Sequence, residues 1–247
     1  MELIHQLTPS LRRLRLSGVM ETLELRNTQA VDDKISYLDF LALLLQDEVE
    51  RRNMRQFDRR LKKAGFSSNM TVEGFDFGFN PTINKKKILD LATTRFIERK
   101  ENVCFIGPAG VGKTHLASAI AHQACRRGFD VLFVKTSNLI RHLNQGRADG
   151  TWETRLKHYL DPSLLILDDW GLKAFGRPAA DDIYEIVCER YERGSIMITS
   201  NRTVEEWPEL FGDGLLASAA LDRMVHHAHI ITITGKSFRA KGLKKDP

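Results

Sequence analysis

Residues Gly107-Pro108-Ala109-Gly110-Val111-Gly112-Lys113-Thr114 satisfy the pattern G-x-x-x-x-G-K-[ST] at every fixed position. Few short motifs constrain a fold so tightly, because this one needs a buried strand before it and a helix start after it. Val103-Cys104-Phe105-Ile106 supplies the apolar run, and Leu116-Ala117-Ser118-Ala119-Ile120-Ala121 supplies good helix formers. Glycines let successive N–H groups face an anion, and the helix start adds its positive end. Lys113 can then reach the β- and γ-phosphates of a nucleotide, while the Thr114 hydroxyl can ligate Mg²⁺. With His115 next in line, these residues form the candidate cofactor-binding set for a nucleotide. A glycine-rich turn that binds nothing explains neither the Lys-Thr pair nor its strand–loop–helix setting.

The 247 residues suit one medium domain with a smaller appendage. No apolar run approaches the ~20 residues of a membrane span, and Met1-Glu2-Leu3-Ile4-His5 lacks the plan of a signal peptide. Cys104, Cys125 and Cys188 are scattered and odd in number, which reads as reduced thiols in a cytoplasmic protein. The net charge of +5 favours an anionic partner only weakly.

Residues 1 to 66 read as a helical N-terminal domain for partner or DNA binding. Leu11, Leu14, Val19 and Leu23 recur at helical spacing, with Thr8-Pro9-Ser10 as a start signal, and Leu38, Leu41, Leu45 and Val49 begin a long amphipathic helix. That helix ends in Arg51, Arg52, Arg55, Arg59, Arg60, Lys62 and Lys63, against Asp58 as the only acid from 51 to 63. A solvated face would explain the run; a surface that tracks DNA phosphates explains the imbalance better. Residues 67–81, with Phe75-Asp76-Phe77-Gly78-Phe79, read as a linker docking through its aromatics. Residues 82–247 read as the catalytic domain, opening with a helix from about Thr82 to Glu98. Beyond the glycine loop, Val131–Lys135, Leu164–Asp168, Ser195–Ser200 and His229–Thr234 alternate with helical segments. Such alternation predicts an α/β fold with a parallel five-stranded sheet flanked by helices.

Leu164-Leu165-Ile166-Leu167-Asp168-Asp169 is an apolar strand ending in carboxylates, which belong beside the phosphates at the carboxyl edge of the sheet. Asp168 is the candidate partner of Thr114 in holding Mg²⁺, and Asp169 the candidate base for the attacking water. Ile198-Thr199-Ser200-Asn201 ends a further strand in a polar residue able to bond a γ-phosphate or serve as a turn.

Lys113, Thr114, Asp168, Asp169 and Asn201 together resemble the AAA+ ATPases, with Asn201 at the sensor-1 position. Arg223, in Leu221-Asp222-Arg223-Met224, matches that family's arginine finger, which implies catalysis across a subunit interface and a homo-oligomer with ATP between subunits. The short stretch after Arg223 implies that the usual helical lid is missing, leaving Arg239 either as a stand-in for its sensor-2 arginine or as part of a basic tail. Leu14-Arg15-Leu16-Ser17-Gly18-Val19-Met20-Glu21-Thr22-Leu23, Phe75-Asp76-Phe77, Asp169-Trp170-Gly171-Leu172, Glu189-Arg190-Tyr191-Glu192-Arg193 and Thr199-Ser200-Asn201-Arg202 narrow the likeness to the IstB proteins and the related DnaC helicase loaders. The likeness runs nearly end to end, and its N-terminal and Asp-Trp-Gly-Leu segments favour IstB. It implies an ATPase that assembles on DNA, largely without regard to sequence, and recruits an IstA-like transposase; the alternative is a helicase loader. Asp169 stands where most AAA+ proteins carry Glu, which implies slow hydrolysis.

Between the second and third strands, Arg141 and Arg147 lie on a segment that the resemblance makes a DNA contact and that composition alone leaves as a covering helix. His226, His227 and His229 lack partners at metal-ligand spacing, and Trp152, Trp170 and Trp207 read as core or rim aromatics. A kinase would need a lid and an acceptor pocket, and a GTPase would need Asn-Lys-x-Asp; neither signature occurs. A passive DNA-binding module would not need the intact polar set.

Overall fold

The computed structural model describes residues 2–65 and 70–239, so Phe66 at the end of the expected helical domain, residues 67–69 of the expected linker and the tail beyond Arg239 lie outside the described residues. The chain divides into two compact units, Met1–Arg59 and Arg60–Pro247.

The larger unit is built on five parallel strands: β1 (Asn102–Ile106), β2 (Val131–Lys135), β3 (Leu164–Trp170), β4 (Ser195–Ser200) and β5 (Ala228–Thr232). Their order is β2-β3-β4-β1-β5. β1, β3 and β4 are buried nearly throughout, as expected for strands covered on both faces. Helix α6 (Lys113–Arg126) follows the glycine loop, α7 (Thr136–Asp149) and α8 (Trp152–Leu160) link β2 to β3, α9 (Ala179–Arg190) links β3 to β4, and α10 (Gly214–Val225) precedes β5. Among the described residues no helical lid follows β5, and no helix is long and apolar enough to cross a membrane.

Trp170 and Trp207 are fully buried in one aromatic cluster with Phe175 and Phe211. Trp152 donates its ring N–H to buried Asp182, which also pairs with Arg147. Arg190 is 1% exposed, and its Nη1 donates to the carbonyls of Tyr159 and Leu160 at 3.0 and 2.9 Å. Its Nη2 donates to Ser163 and Ser195 at 3.4 and 2.8 Å. One guanidinium therefore joins the end of α8 to the starts of β3 and β4. Burial pulls its pKa down to about 10, which still leaves it charged at neutral pH.

The smaller unit holds α1 (Glu2–Arg13), α2 (Ser17–Asp32) and the first part of α3 (Tyr37–Ala64). Val19, Leu23 and Leu44 form its core with Leu11, Leu16 and Phe40 against them. Glu48, 4% exposed, accepts the backbone N–H of Gly18 at 2.5 Å and the side chain of Arg52 at 2.6 Å. Arg26 grips Asp47 with two bonds of 2.9 and 2.7 Å. That grip, with a bond from Thr22, holds the Asp47 carboxyl at about 2.

Two expectations are corrected. Pro9 lies inside α1 and does not start a helix; the break comes at Arg15, whose φ of 56° no continuing helix adopts. The helix expected over Thr82 to Glu98 is two helices, α4 (Lys85–Ala92) and α5 (Arg95–Glu98). Asn84 caps the first by accepting from Lys87 N, and Thr94, at φ 61°, separates the pair.

Replacing Arg190 by Met should destabilise the larger unit by at least about 3 kcal/mol, because it strips charge-assisted donors from four backbone carbonyls. Urea unfolding followed by tryptophan fluorescence measures this; a loss under about 1 kcal/mol would show that the carbonyls find other donors.

Candidate functional site

Parallel pairing sets where the polar strand ends meet. β1 and β3 each flank β4, so the loop after Ile106, the acids after Leu167 and the polar end of β4 share the carboxyl edge of the sheet. Gly107 N donates to Ser200 O at 3.1 Å, fixing the loop to β4, and Ile233 N donates to Ile106 O at 2.7 Å. A Cβ at Gly107 would stand 2.0 Å from the carbonyl oxygen of Ile233, so only glycine lets the chain pass. Gly112 has φ 103°, and a Cβ there would stand 2.6 Å from the Phe75 ring.

Lys113 is 7% exposed. Its ammonium donates to the carbonyls of Gly107 and Pro108 and to Asn201 Oδ1, each at 2.7 Å. Burial lowers its pKa, opposed by the charges of Asp168 and Asp169. Asp168, 3% exposed, accepts on a single oxygen, Oδ1, from the hydroxyls of Thr114 at 2.8 Å and Thr199 at 2.5 Å. Thr136 donates to its backbone carbonyl at 3.0 Å.

Asp169 is placed by an irregularity. Leu167 pairs with Ile198, but Trp170 pairs with Ser200, so two residues of β3 face one of β4. Asp169 takes φ 58°, which Asp tolerates, and its N–H donates to Thr199 Oγ1 at 3.2 Å. In a regular strand two successive carboxylates would point to opposite faces; this bulge re-aims the second. Lys135, at the end of β2, holds Asp169 Oδ2 at 3.0 Å, and that bond raises the lysine pKa.

Lys113, Thr114, Asp168, Asp169 and Asn201 are thus brought to one edge. Arg223 is not. Its neighbour Met224 accepts at its carbonyl from Asn102 Nδ2 at 3.0 Å, and Asn102 begins the strand whose far end carries the glycine loop. A strand of that length separates them by roughly 15 Å at ~3.3 Å per residue. Arg223 lines a cleft of about 280 Å³ with Arg99, Lys100, Tyr191, His226 and His227. His229 pairs with Glu101.

In the smaller unit Arg51 pairs with Glu21, Arg52 with Glu48, and Arg55 donates to Ser17 Oγ; Arg59 is exposed. Arg60 is half-buried in the larger unit. Arg147 is committed to Asp182 and stacks on Trp152, whereas Arg141 is exposed on α7.

Beside the glycine loop opens a cavity of about 330 Å³ whose walls include Phe75, Phe79, Phe238, Asn80 and Arg239. Phe238 N donates to Gly110 O at 2.9 Å, so the segment after β5 crosses the loop. Phe79 and Phe238 meet edge to face at 5.0 Å. His115, packed on Phe75, bonds Thr71 O at 3.1 Å.

The model of a family described as IstB-like ATP binding protein matches residues 9–246. A protein of Mycobacterium tuberculosis strain H37Rv, named as a candidate ATP-binding protein in an insertion sequence, is 40% identical over 94% of this chain and 93% of its own length. The similarly named protein of insertion sequence IS21 from Pseudomonas aeruginosa is 38% identical over 98% of this chain and 91% of its own. Among solved structures, the DnaC helicase loader superposes with a TM-score of 0.58 at 24% identity, over 67% of this chain and 97% of that one. AMPPCP-bound DnaA from Aquifex aeolicus gives 0.58 at 20% identity, over 73% and 55%. At those identities the likeness is one of fold, and it is the AAA+ fold.

The sequence reading missed Thr199, Lys135 and the aromatic cavity. Thr199 was visible only as a strand residue, and nothing local marks it as a clamp on Asp168. Thr199→Val keeps the shape and removes both bonds. It should cost about 1–3 kcal/mol, measured by denaturant unfolding; an unchanged midpoint would show that Asp168 does not depend on the clamp.

Proposed function

Because the chain belongs to the IstB-like ATP binding protein family, we propose that it binds ATP at the glycine loop and hydrolyses it between subunits. The observation that carries this is the convergence of Lys113, Thr114, Asp168 and Asn201 at one sheet edge, with Arg223 at the opposite edge. The Lys113 ammonium spends its three donors on three oxygens, two of them main-chain carbonyls, and a γ-phosphate oxygen is a stronger ligand for a cation than a neutral carbonyl. Asn201 can follow that exchange, turning from the lysine to the phosphate.

Thr114 and Asp168 form an all-oxygen pair 2.8 Å apart, the donor chemistry that suits Mg²⁺. They would hold the ion, which supplies neutralising charge to the phosphates. Asp169 takes a proton from water as its oxygen attacks the γ-phosphorus; ADP leaves, and phosphate carries the new P–O bond. Lys135 fixes the direction of that carboxylate. Arg223 is too far from its own loop to act there, so it serves a neighbour and neutralises the charge developing in transfer. ATP is then a ligand shared by two chains, and its hydrolysis releases their contact.

The names of these relatives tie such proteins to insertion sequences. This supports an ATPase that assembles on DNA and recruits and stimulates a transposase, with residues 1–66 as the recruiting domain, 67–81 as linker and 82–247 as motor. Arg51, Arg52, Arg55, Arg59, Arg60 and Arg141 would contribute phosphate contacts that weaken with salt, whereas Arg147, expected among them, is held by Asp182. A helicase loader is the second reading, supported by the fold shared with DnaC; pull-down in ATP with each partner separates the two.

Asp169→Asn should leave ATP binding intact while slowing hydrolysis about 10²–10⁴-fold and prolonging the assembled state on DNA. Lys113→Ala, as control, should lose both binding and assembly. Loss of ATP binding in the Asp169 variant would contradict its role.

Arg223→Ala should lower turnover by about 10³-fold or more. Mixing it with Lys113→Ala should restore part of the activity, because hybrid interfaces pair an intact loop with an intact finger. Turnover in the mixture no higher than in either variant alone would rule out action in trans.

A further inference from the structure

Three helices end on the cleft that holds Arg223, and none of them is closed by glycine. Helix α5 stops at Glu98, α9 at Arg190 and α10 at Val225, each followed by one capping residue. The next residues, Lys100, Glu192 and His227, take φ of 59°, 58° and 55°, and all three line the cleft of about 280 Å³. Glycine commonly fills that position, because in left-handed backbone a side chain crowds the following carbonyl. Among the described residues seven non-glycine positions have positive φ; three of them meet here, and a fourth is Asp169, the proposed base. Strain of this kind gathers where a side chain is used.

Helix stability accounts for His227 alone. A cation at a helix C-terminus is favoured by the dipole, which suits a histidine after the 12 residues of α10. Lys100 follows a helix of four residues, too short to reward it in that way, and Glu192 places an acid at the negative end of α9. Charge then separates those two. Arg99, Lys100 and Arg223 line the cleft against Glu192 as its one carboxylate, so an anion entering it is attracted. Arg99 lies 3.9 Å from Glu101 Oε1, and Arg223 Nη1 donates to Ala219 O at 2.7 Å. The exposed Lys100 ammonium has no such engagement among the described residues.

A terminal phosphate offers more oxygens than one guanidinium covers. Arg223 supplies a planar fork, and a lysine supplies a point charge for an oxygen that the fork leaves over. We propose that Lys100 is a second cation lent, beside Arg223, to the triphosphate of a neighbouring copy. This rests on the reading of Arg223 as acting in trans and adds a ligand to it. Glycine at position 100 would relax the backbone and remove the charge, so stability and turnover should move in opposite directions.

The test compares Lys100→Gly, Lys100→Asn and Lys100→Arg in the full chain, by ATP turnover and by urea unfolding. Lys100→Gly should raise the urea midpoint, and Lys100→Asn, which tolerates left-handed backbone, should not lower it. Both should reduce turnover about tenfold to a hundredfold, the range of one charge-assisted hydrogen bond. Lys100→Arg, which keeps the charge, should recover part of that loss. Mixing Lys100→Gly with Lys113→Ala should restore some turnover. Mixing it with Arg223→Ala should restore none, because both lesions lie on the same face of the chain.

Wild-type turnover in Lys100→Gly and Lys100→Asn overturns the proposal. Recovery in the mixture with Arg223→Ala overturns it too, since that places Lys100 on the loop side. Turnover that falls only together with the urea midpoint makes Lys100 a structural cap and is a third refutation. Full turnover in Arg223→Ala would instead sink the trans reading, and this inference with it; an essential Arg223 beside a dispensable Lys100 removes the inference alone.

Discussion

One carboxylate oxygen organises the site. Oδ1 of Asp168 accepts two hydroxyls, from the first turn of α6 and from the last residues of β4, while its backbone carbonyl takes a third from the start of α7. Three elements that leave the sheet separately are thus tied to one residue on β3. Buried carboxylates are expensive unless bonded, so the tie also explains why the acid can sit at 3% exposure beside an apolar core. Lys113 and Asp169 contribute opposite charges around it, and Asn201 closes the arrangement by bonding the lysine.

The arginine proposed to complete the site lies elsewhere. A parallel sheet collects strand ends of one kind at one edge and strand beginnings at the other. Arg223 lies with the beginnings, among Arg99, Lys100 and two histidines. In the proposed mechanism such a chain would carry half a site at each edge, and a second copy in the same orientation would bring the halves together.

Much of this was legible in the sequence. The glycine-loop pattern fixes strand, turn and helix because phosphate cradling needs glycine dihedrals that few other residues adopt, and the apolar runs locate the other strands to within two residues. The polar ends of those runs identify Asp168 and Asn201, since a parallel sheet covered on both faces tolerates polar groups only at its ends. Less legible were the breaks: Arg15 and Thr94 adopt left-handed backbone without being glycine, and Pro9 is carried inside a helix. Residue-by-residue propensity cannot see these, because packing elsewhere decides them.

What the sequence by itself determined is therefore the set of chemical groups and the sheet that carries them, for both are written in short-range patterns of residue type and spacing. What only the tertiary structure decided is how those groups meet. The bulge that turns Asp169 beside Asp168, the Thr199 hydroxyl that bonds both, the Lys135 partner from a neighbouring strand and the Asn80 amide held against Gly235 all join residues far apart in the chain. Such contacts depend on register and on which segments cross, and these are set by the burial of the whole core rather than by any local signal.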